Sequence, residues 1–523
     1  MQQNIHRVVF IVLLLFFDLA FVSYAQTSVN PDSSLQAILN GLEGSELTLT
    51  QAQEYASKNS TSVRRAEAAY LAAAGSLRRE RGFFDPELFF RINYEDLKSP
   101  TASFFAGADV LITKSTTSQT GLKMNLPIGT QLELSLNTVS LKTNSQFAFL
   151  NPEYNAFGSL SFRQPLLGGF TASGRKALTS TELEYEAAQK RYEQEIVAVN
   201  SEVEKIYWNL YTTVRDYAVQ KLTRDRAAAF LKETELRRQA GLVGPNQTAS
   251  AKTFLAQQEL LLIDREEQLD AQSDLLAVLI GVRPEKGTLR FKIIDTPPNN
   301  FSVVPVEEII ENAFDNNLEL QAAQKDVDAI NTLADAASWE SLPRVDLTGS
   351  LISTGIGGDS QDVIFGGDTL RTTSGGSFGD MLDQIFKRKF PGWSIGVELS
   401  LPIGLRKGLG EKDRLEAAAL NIQQRYVELS RILEQQIRAA HRELSHGSNR
   451  LKAAQEGVEA AQEQVRIGAI EFHNGRITAF ELVRLNEDFA IAQRSYSQAL
   501  VQTVNAIATL KQLTSGKYPG TIN

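Results

Sequence analysis

Two short patterns in the sequence have residue types and spacings that could do chemistry. Residues 375–379 read Gly-Gly-Ser-Phe-Gly, which matches the G-x-S-x-G motif of serine nucleophiles. That motif needs a strand-to-helix elbow with an acid and a histidine close by, whereas the glycine-rich surroundings here predict a surface loop. Residues 404–410 resemble a phosphate-binding loop, but no Gly-Lys-Ser or Gly-Lys-Thr follows in register. Neither pattern predicts a catalytic residue.

Metal and redox chemistry find little support in the sequence either. His441 and His446 are five residues apart in a predicted helix, so they lie about 140° apart around its axis, a poor geometry for sharing a metal ion. The chain has no cysteine, which excludes disulfides, thiolate metal sites and cysteine nucleophiles. We therefore predict no cofactor, no metal site and no enzymatic activity.

The charge pattern narrows the class of partner. The formal net charge of -9 argues against a nucleic-acid partner, because such proteins present a basic face. One short basic run, Lys387-Arg388-Lys389, lies between Phe386 and Phe390. This run has two interpretations, contact with anionic lipid headgroups or an ordinary charged loop.

The N-terminus predicts export from the cytoplasm. His6 and Arg7 precede an apolar run over residues 8–22, and Ala25 ends a small-residue cleavage pattern. We predict a signal peptide over residues 1–25. The alternative is a membrane anchor, but the run is shorter than the roughly 20 residues that a helical span needs.

Two long segments carry the clearest periodicity. Apolar residues recur in steps of three and four within residues 174–240 and again within residues 411–472, a spacing that predicts amphipathic helices. Their apolar stripes are narrow, so we expect the helices to pack as coiled coils rather than around one globular core. At 1.5 Å per residue, the first helix would be roughly 100 Å long.

A break after each long helix turns the chain back. Gly241 suits a helix C-cap, and Pro245 suits the first turn of a returning helix. The second break covers residues 472–476. The returning helices are predicted over about 248–281 and 477–514, which gives two antiparallel helical hairpins.

Short alternating segments lie between the helices. Residues 88–94, 122–126, 132–136 and 395–401 alternate apolar and polar side chains, as strands with one apolar face do. A transmembrane barrel and the half-buried sheet of a soluble domain share this alternation. The export signal and the helix lengths favour the barrel. Residues 353–390, rich in glycine and polar residues, predict a polar surface loop.

The chain contains an internal duplication. Residues 49–90 and 306–347 align without a gap at an offset of 257. Residues 119–140 have the pattern of an additional hairpin in the first copy. The predicted units are a signal peptide over 1–25, a first repeat over 26–300 with barrel strands at about 87–166, and a second repeat over 301–523 with barrel strands at about 344–402.

Ordered motifs give the chain a resemblance to a known family. Residues 84–86 read Phe-Asp-Pro before a strand, residues 164–169 read Gln-Pro-Leu-Leu-Gly-Gly at a strand end, and residues 240–243 read Ala-Gly-Leu-Val at a helical turn. In this order, and with the duplication, they resemble the TolC-like outer membrane efflux proteins over essentially the whole mature chain. The resemblance implies an α+β membrane protein whose duplicated helix-strand-strand-helix repeat forms a transmembrane β-barrel and a long periplasmic α-helical coiled-coil barrel, as a homotrimer.

The resemblance also implies a location, a function and partners. The protein would lie in the cell outer membrane, surrounded by lipid, with its helical part in the periplasm. It would be the exit duct of a tripartite efflux or secretion system, passively conducting substrate from a periplasmic adaptor and an inner-membrane transporter to the exterior. Drug, protein and metal cargo all fit. Two alternatives are a periplasmic coiled-coil scaffold and an adaptor-independent porin.

The family's adaptor-contacting positions carry over onto the two helical turns. In the first turn they are Gly241, Leu242, Val243 and Gly244, and in the second turn the matching glycine is Gly475.

The family's aperture positions fall around the second turn, at Phe472, Arg476, Glu481 and Arg484. Glu481 stands where the family has an acidic aperture residue, and Arg484 stands where it has a second acid. Because the two are three residues apart on a helix, they could pair and reduce the negative charge of the aperture. We predict that Glu481 and Phe472 help to set the closed aperture.

Overall fold

The computed structural model describes residues 31–170, 172–474 and 476–521. The signal peptide predicted over 1–25 and the tip residue Gly475 therefore lie outside the described residues.

The first repeat begins with short helices and ends with a long helical hairpin. Its helices are α1 (Pro31–Asn40), α2 (Leu49–Asn59), α3 (Thr61–Gly82), α4 (Ala172–Gln239) and α5 (Pro245–Ile280). Its strands are β1 (Ser45–Leu47), β2 (Glu87–Pro100), β3 (Val110–Asn125), β4 (Gln131–Thr143), β5 (Leu150–Pro165) and β6 (Phe291–Ile293). β1 and β6 pair in parallel, which ties the start of the repeat to its end.

The second repeat follows the same order. Its helices are α6 (Val306–Asn316), α7 (Leu318–Glu340), α8 (Phe378–Phe386), α9 (Arg406–His473) and α10 (Ala479–Leu513). Its strands are β7 (Arg344–Ser360), β8 (Val363–Phe365), β9 (Asp368–Leu370) and β10 (Phe390–Ser400).

The offset of 257 found in the sequence also relates the element bounds. α2 and α6 begin at residues 49 and 306, and α3 and α7 begin at residues 61 and 318. The long helices α4 and α9 both have 68 residues. The first repeat differs by the hairpin β3–β4, which is present as expected and extends beyond residues 119–140 at both ends.

Helix capping explains why α7 begins at residue 318, and it differs between the two repeats. The side chain of Asn317 caps α7 by accepting a hydrogen bond from the amide of Leu320 at 2.8 Å, and its Nδ2 donates to the carbonyl of Leu513 at 2.9 Å. The matching residue of the first repeat, Ser60, makes no side-chain capping bond to α3. The second repeat therefore holds its helix start more firmly.

A single sheet connects the two repeats. Within the described residues, six strands form one antiparallel sheet in the order β10-β7-β5-β4-β3-β2. Each strand runs opposite to its neighbour, and β5 pairs with β7 across the boundary between the repeats. β2 and β10 are the two edges, and the long helices leave the sheet from one end.

Two buried clusters hold the helices together beside the sheet. In the first repeat, the hydroxyl of Tyr207 shares its one proton between the carbonyl of Leu47 at 2.9 Å and the carboxylate of Asp295 at 2.8 Å. In the second repeat, Ile437 and Ile507 are fully buried between α6, α9 and α10. Burying an aliphatic side chain of this size contributes about 1.5–3 kcal/mol. Among the described residues, no helix combines the length and the apolar character that a membrane crossing requires.

The prediction of a polar surface loop over residues 353–390 is wrong. β7 continues to Ser360, β8 and β9 form a small hairpin, and α8 follows. The helix forms because Met381 and Ile385, four residues apart, fall on one face and are buried against the sheet. The polar and glycine-rich composition around them conceals this short apolar pattern.

Candidate functional site

The sheet has two faces of opposite character. One register row crosses all six strands with large apolar residues, namely Leu88, Leu122, Leu134, Leu160, Leu351 and Trp393. The next row, on the opposite face, is polar on every strand, namely Glu87, Lys123, Glu133, Ser161, Ser350 and Ser394. Because side chains alternate between the faces of a strand, these rows define an apolar face and a polar face.

The apolar face is left uncovered by the chain itself. Leu88 at one edge is 78% exposed and Trp393 at the other edge is 75% exposed. Soluble monomers rarely expose a continuous apolar surface of this extent. A membrane-spanning sheet presents such a face to lipid and keeps its polar face toward water.

An ion-pair cluster on the polar face fixes the strands near the helices. Nε of Arg163 donates to Oδ2 of Asp346 at 2.7 Å, and its Nη2 lies 3.2 Å from Oε2 of Glu398. Arg344 Nε also lies 2.9 Å from Asp346, whose side chain is almost completely buried. The cluster joins β5, β7 and β10, and sequence reasoning missed it because its members are far apart in the chain.

The first helical turn has the geometry that its glycine suggests. Gly241 adopts a positive φ of 74°, its amide donates to the carbonyl of Arg238 at 3.0 Å, and the amide of Leu242 donates to the carbonyl of Arg237 at 2.9 Å. These two bonds are those of a Schellman C-cap. Pro245 occupies the first turn of α5. The structure confirms the predictions that Gly241 follows the helix end as a C-cap and that Pro245 lies in the first turn of the returning helix.

The residues of this turn differ in exposure. Leu242, at the tip of the turn, is 74% exposed. Val243 is partly buried, and Gly244 is the exposed N-cap position of α5. An exposed leucine held by a capped turn is a feature that a partner protein can bind.

The second helical turn is closed by a capping box. The amide of Arg476 donates to the carbonyl of Glu471 at 2.9 Å. The amide of Thr478 donates to Oε2 of Glu481 at 2.9 Å, and the amide of Glu481 donates to Oγ1 of Thr478 at 3.2 Å. Glu481 thus satisfies a backbone donor at the start of α10.

The ion pair that the spacing of Glu481 and Arg484 would allow is not formed. Of the ion pairs between described residues, none joins these two side chains, and both are exposed. The reason is that the Glu481 carboxylate turns back toward Thr478 instead of forward along α10.

Contacts near the turns join the two helical hairpins. The guanidinium carbon of Arg237, at the end of α4, lies 5.3 Å from the ring centroid of Phe472, at the end of α9. Arg237 also pairs with Glu233 at 2.6 Å. Further along α4, Nη1 of Arg226 donates to Oδ1 of Asn486 at 2.6 Å, and burial lowers the pKa of Arg226. A cation–π contact and a partly buried hydrogen bond therefore connect the first hairpin to the second.

One carboxylate is buried among these helices. Asp216 of α4 is 7% exposed. Burial raises its pKa, and the nearby guanidinium groups of Arg265 and Arg494 offset part of this rise. Keeping this side chain charged costs stability unless its positive neighbours compensate.

The residues that suggested catalysis have structural roles. Ser377 is the N-cap of α8, where its Oγ accepts from the amide of Asp380 at 3.2 Å. Nε2 of His441 lies 3.0 Å from the carbonyl oxygen of Val304. Within the part of the chain that the structure describes, no cluster of three or more histidine or acidic side chains has a geometry that could hold a metal ion.

Comparisons with known proteins agree with this geometry. A family model described as outer membrane efflux protein matches residues 309–516. A search of curated proteins gives no match.

Among solved structures, the chain is similar to the Campylobacter jejuni CmeC outer membrane channel, with a TM-score of 0.63, 15% identity and coverage of 90% of this chain and 86% of that chain. It is similar to the Vibrio cholerae outer membrane protein VceC, with a TM-score of 0.60, 16% identity and coverage of 90% and 96%. It is also similar to the open state of the Neisseria gonorrhoeae MtrE outer membrane channel, with a TM-score of 0.59, 14% identity and coverage of 90% and 89%. At these identities, the likeness establishes the fold.

Proposed function

We propose that this chain, a member of the TolC-like outer membrane efflux protein family, is the outer-membrane exit duct of a tripartite efflux or secretion system. The predicted family is confirmed by the match over residues 309–516 and by the channel fold. The predicted α+β fold is confirmed by the solved channels. The predicted outer-membrane location with periplasmic helices is confirmed by the family match together with that fold. The duct would perform no chemistry on its cargo.

The observation that carries the proposal is the alternation of an apolar row and a polar row across the sheet. The leucine row from Leu88 to Trp393 would face lipid, and the polar row from Glu87 to Ser394 would line a water-filled lumen. The same strands lead into α4 and α9, each about 100 Å long at 1.5 Å per residue. A membrane pore continuous with a long helical tube would follow from this connection.

Closing the pore needs more than one copy of the chain. A sheet with free edges cannot lie in lipid, because its edge amides and carbonyls would be unsatisfied. The six strands make five pairings, and every pairing is antiparallel, so β10 runs antiparallel to β2. β10 of one copy can therefore pair with β2 of the next. In the homotrimer that the family resemblance implies, three six-stranded sheets would contribute eighteen strands.

The first helical turn would contact the periplasmic adaptor. Its exposed residues are carried at the far end of a rigid hairpin, and the Leu242 side chain is the most exposed apolar group there. We include Gly241, Val243 and Gly244 in this contact as residues that shape the first turn, and Gly475 as the position that the family resemblance assigns to the second. Leu242→Asp is expected to reduce export in cells without lowering the amount of protein in the outer membrane. Leu289→Asp is the matched control, because Leu289 is as exposed but lies outside the turns.

The second helical turn would form the aperture, through Phe472, Arg476, Glu481 and Arg484. The support is the contact between Arg237 and Phe472, which holds the end of α9 against the end of α4. We expect Phe472→Ala to raise the open probability of single channels, because the ring that faces the guanidinium is lost. Phe472→Tyr keeps an aromatic face and should behave as the wild type.

The experiment that tests the duct combines fractionation with cross-linking. The chain has no cysteine, so single cysteines placed along β2 and along β10 can form a disulfide only with each other. If β10 of one copy pairs with β2 of another, oxidation should give dimers and trimers in outer-membrane fractions, and cysteine pairs placed on β3 and β5 should give none.

Each alternative makes a different prediction for the same cells. A periplasmic scaffold would appear in the soluble fraction after a carbonate wash and would not be cross-linked through the strand edges. An adaptor-independent porin would stay in the membrane and conduct ions, but deleting the adaptor and the inner-membrane transporter would leave its transport unchanged. Either result would contradict the proposed role.

A further inference from the structure

A short helix lies on one face of the sheet, at the end remote from the long helices. α8 packs across β5 and β7, with Met381 and Ile385 buried beneath it. Oγ of Ser353 donates to the carbonyl of Ile385 at 3.0 Å. A Cβ atom on Gly355 would lie 2.4 Å from the carbonyl oxygen of Met381. The helix therefore sits directly on the strand backbone, at a distance that only glycine allows.

The face beneath α8 is the apolar face. Gly355 is four residues from Leu351 on β7, and Gly158 is two residues from Leu160 on β5, so these residues share one face of the sheet. Ile385 closes over Gly158, where a Cβ atom would lie 3.0 Å from its Cγ2. α8 is thus on the side of the sheet that faces lipid.

On β3 and β4, the apolar band ends at the level of α8. The residues that continue the same face along β3 and β4, away from the leucine row, are polar, namely Thr116, Ser118, Thr138 and Ser140. A change from leucine to serine and threonine along one outward face marks the boundary between hydrocarbon and water. α8 therefore lies at the edge of the bilayer, on the far side from the periplasmic helices.

An apolar groove runs from the leucine row to the C-terminal end of α8. Its volume is about 510 Å³. The leucines that line it are Leu88, Leu122, Leu134, Leu136, Leu160 and Leu351. Ile385, Phe386 and Arg388 line its other end. Phe386 is 77% exposed, so an apolar ring also stands beside the groove.

The groove ends at the basic run 387–389. Within this run, Arg388 is the basic residue that lines the groove. Nζ of Lys387 pairs with Asp383 at 2.8 Å, and Nζ of Lys389 lies 5.5 Å from the ring centroid of Phe390. Among the described residues, no carboxylate forms an ion pair with Arg388. An exposed guanidinium thus stands at the end of a leucine-lined groove.

We propose that this groove binds a phosphorylated lipid of the outer leaflet. One acyl chain would lie over the leucines, and a phosphate would accept hydrogen bonds from the Arg388 guanidinium. Guanidinium and phosphate pair in bidentate fashion, and neighbouring lysines add attraction at a membrane surface. The groove favours a lipid over a peptide because it is continuous with the leucine row that the bilayer covers. The site lies at the opposite end of the molecule from the turns assigned to the adaptor.

Native mass spectrometry of the purified full-length protein tests the site. The probe is bisphosphorylated lipid A, compared with its dephosphorylated form. We expect the phosphorylated form to bind more tightly, and Arg388→Gln to weaken its binding about tenfold, as the loss of a charge-assisted contact predicts. Arg371→Gln is the matched control, because it removes the same charge from the same connection but from a guanidinium already paired with Asp362 at 2.8 Å. This control should bind as the wild type does.

A second variant tests the groove itself. Leu351→Trp places a larger apolar group over the leucines and should weaken lipid A binding while leaving the melting temperature of the protein near that of the wild type. The proposal is overturned if Arg388→Gln keeps wild-type affinity with unchanged melting. It is also overturned if the dephosphorylated lipid binds as tightly as the phosphorylated one. Binding of inorganic phosphate in place of lipid A would show an anion site without an acyl groove, and would likewise contradict it.

Discussion

Substitutions of Glu481 distinguish two mechanisms by which the second helical turn could keep the proposed aperture closed. Its carboxylate could act through charge, since symmetry would bring several copies close together. It could also act by ordering the start of α10, because it accepts the amide of Thr478 at 2.9 Å in a capping box. The observed hydrogen bonds favour the second route, and the choice of substitution distinguishes the routes.

The capping route has a definite magnitude. Losing one member of a helix cap costs about 1 kcal/mol, which shifts the balance between an ordered and a frayed first turn about fivefold. Glutamine can take the place of glutamate in a capping box, so Glu481→Gln keeps the bond to Thr478 and removes only the charge. Glu481→Ala removes both.

Single-channel recording in planar bilayers measures the difference. We expect Glu481→Ala and Thr478→Ala to raise the open probability about fivefold, because each breaks the same box. Glu481→Gln should stay close to the wild type. Ser377→Ala is the matched control, since it breaks the capping box of α8, far from the helical turns, and should leave gating unchanged.

The result that would refute this reasoning is equally definite. If Glu481→Gln opens the channel as much as Glu481→Ala does, the charge of Glu481 holds the aperture and the cap is incidental. If neither substitution changes the conductance or the open probability, Glu481 is not an aperture residue.

Three further predictions follow from described contacts. Asn317→Ala should lower the free energy of unfolding by about 1–2 kcal/mol, measured by denaturation in detergent, because it removes a cap and a buried hydrogen bond, whereas Ser60→Ala at the matching position should cost less. Since burial raises the pKa of Asp216, the folded state favours its protonated form, and stability is lost as pH rises from the ordinary aspartate value through the raised one. Asp216→Asn should therefore melt progressively higher than the wild type across that pH interval, and a constant difference would contradict the assignment. Leu160→Arg on the apolar face should cost about 2–4 kcal/mol in a membrane-folding assay, whereas Ser159→Arg on the polar face should fold normally.

The helical hairpins could be predicted from the sequence because the information for them is local. The stripe of apolar residues defines each long helix, and Gly241 and Pro245 supply the backbone geometry of the first turn without help from distant residues. The sequence alignment of the repeats also predicts the offset of 257 residues between them, and the starts of α2 and α6 differ by that number.

Features that depend on distant partners could not be predicted. α8 has only nine residues, too few for stability alone, and it forms because β5 and β7 lie beneath Met381 and Ile385. Arg163 and Asp346 are 183 residues apart in sequence, and only the pairing of β5 with β7 brings them together. Neither partner carries a local pattern that identifies the other.

The sequence around the second turn is compatible with both a capping box and an ion pair. The spacing of Glu481 and Arg484 allows an ion pair, and the same glutamate stands three residues after Thr478 in a T-x-x-E pattern. The backbone amide of Thr478 lies within the same first turn and needs a partner, so it takes the carboxylate. Exposed ion pairs on helices contribute little by comparison.

The leucine row also sets the inclination of the strands. Outward apolar residues occupy 88–94 on β2 and 393–399 on β10, yet Leu88 and Trp393 belong to the same row. The centres of the two segments are residues 91 and 396. The register row of Arg91 reaches β10 at Phe390, which is six residues from 396, so the two centres are offset by six residues along the strands. Six residues correspond to about 20 Å along a strand, over five gaps that total about 24 Å across the sheet. For both segments to lie at one depth in the bilayer, the strands must tilt by about 40°, the inclination typical of membrane barrels.

That tilt determines the bore of the proposed trimer. Eighteen strands inclined by about 40° and spaced about 4.8 Å apart close into a cylinder with a backbone radius of about 18 Å. Barrels with this number of strands leave an aqueous channel instead of filling with side chains. The hairpin β3–β4, present in one repeat and absent from its counterpart, accounts for six of those strands and thus for a third of the circumference.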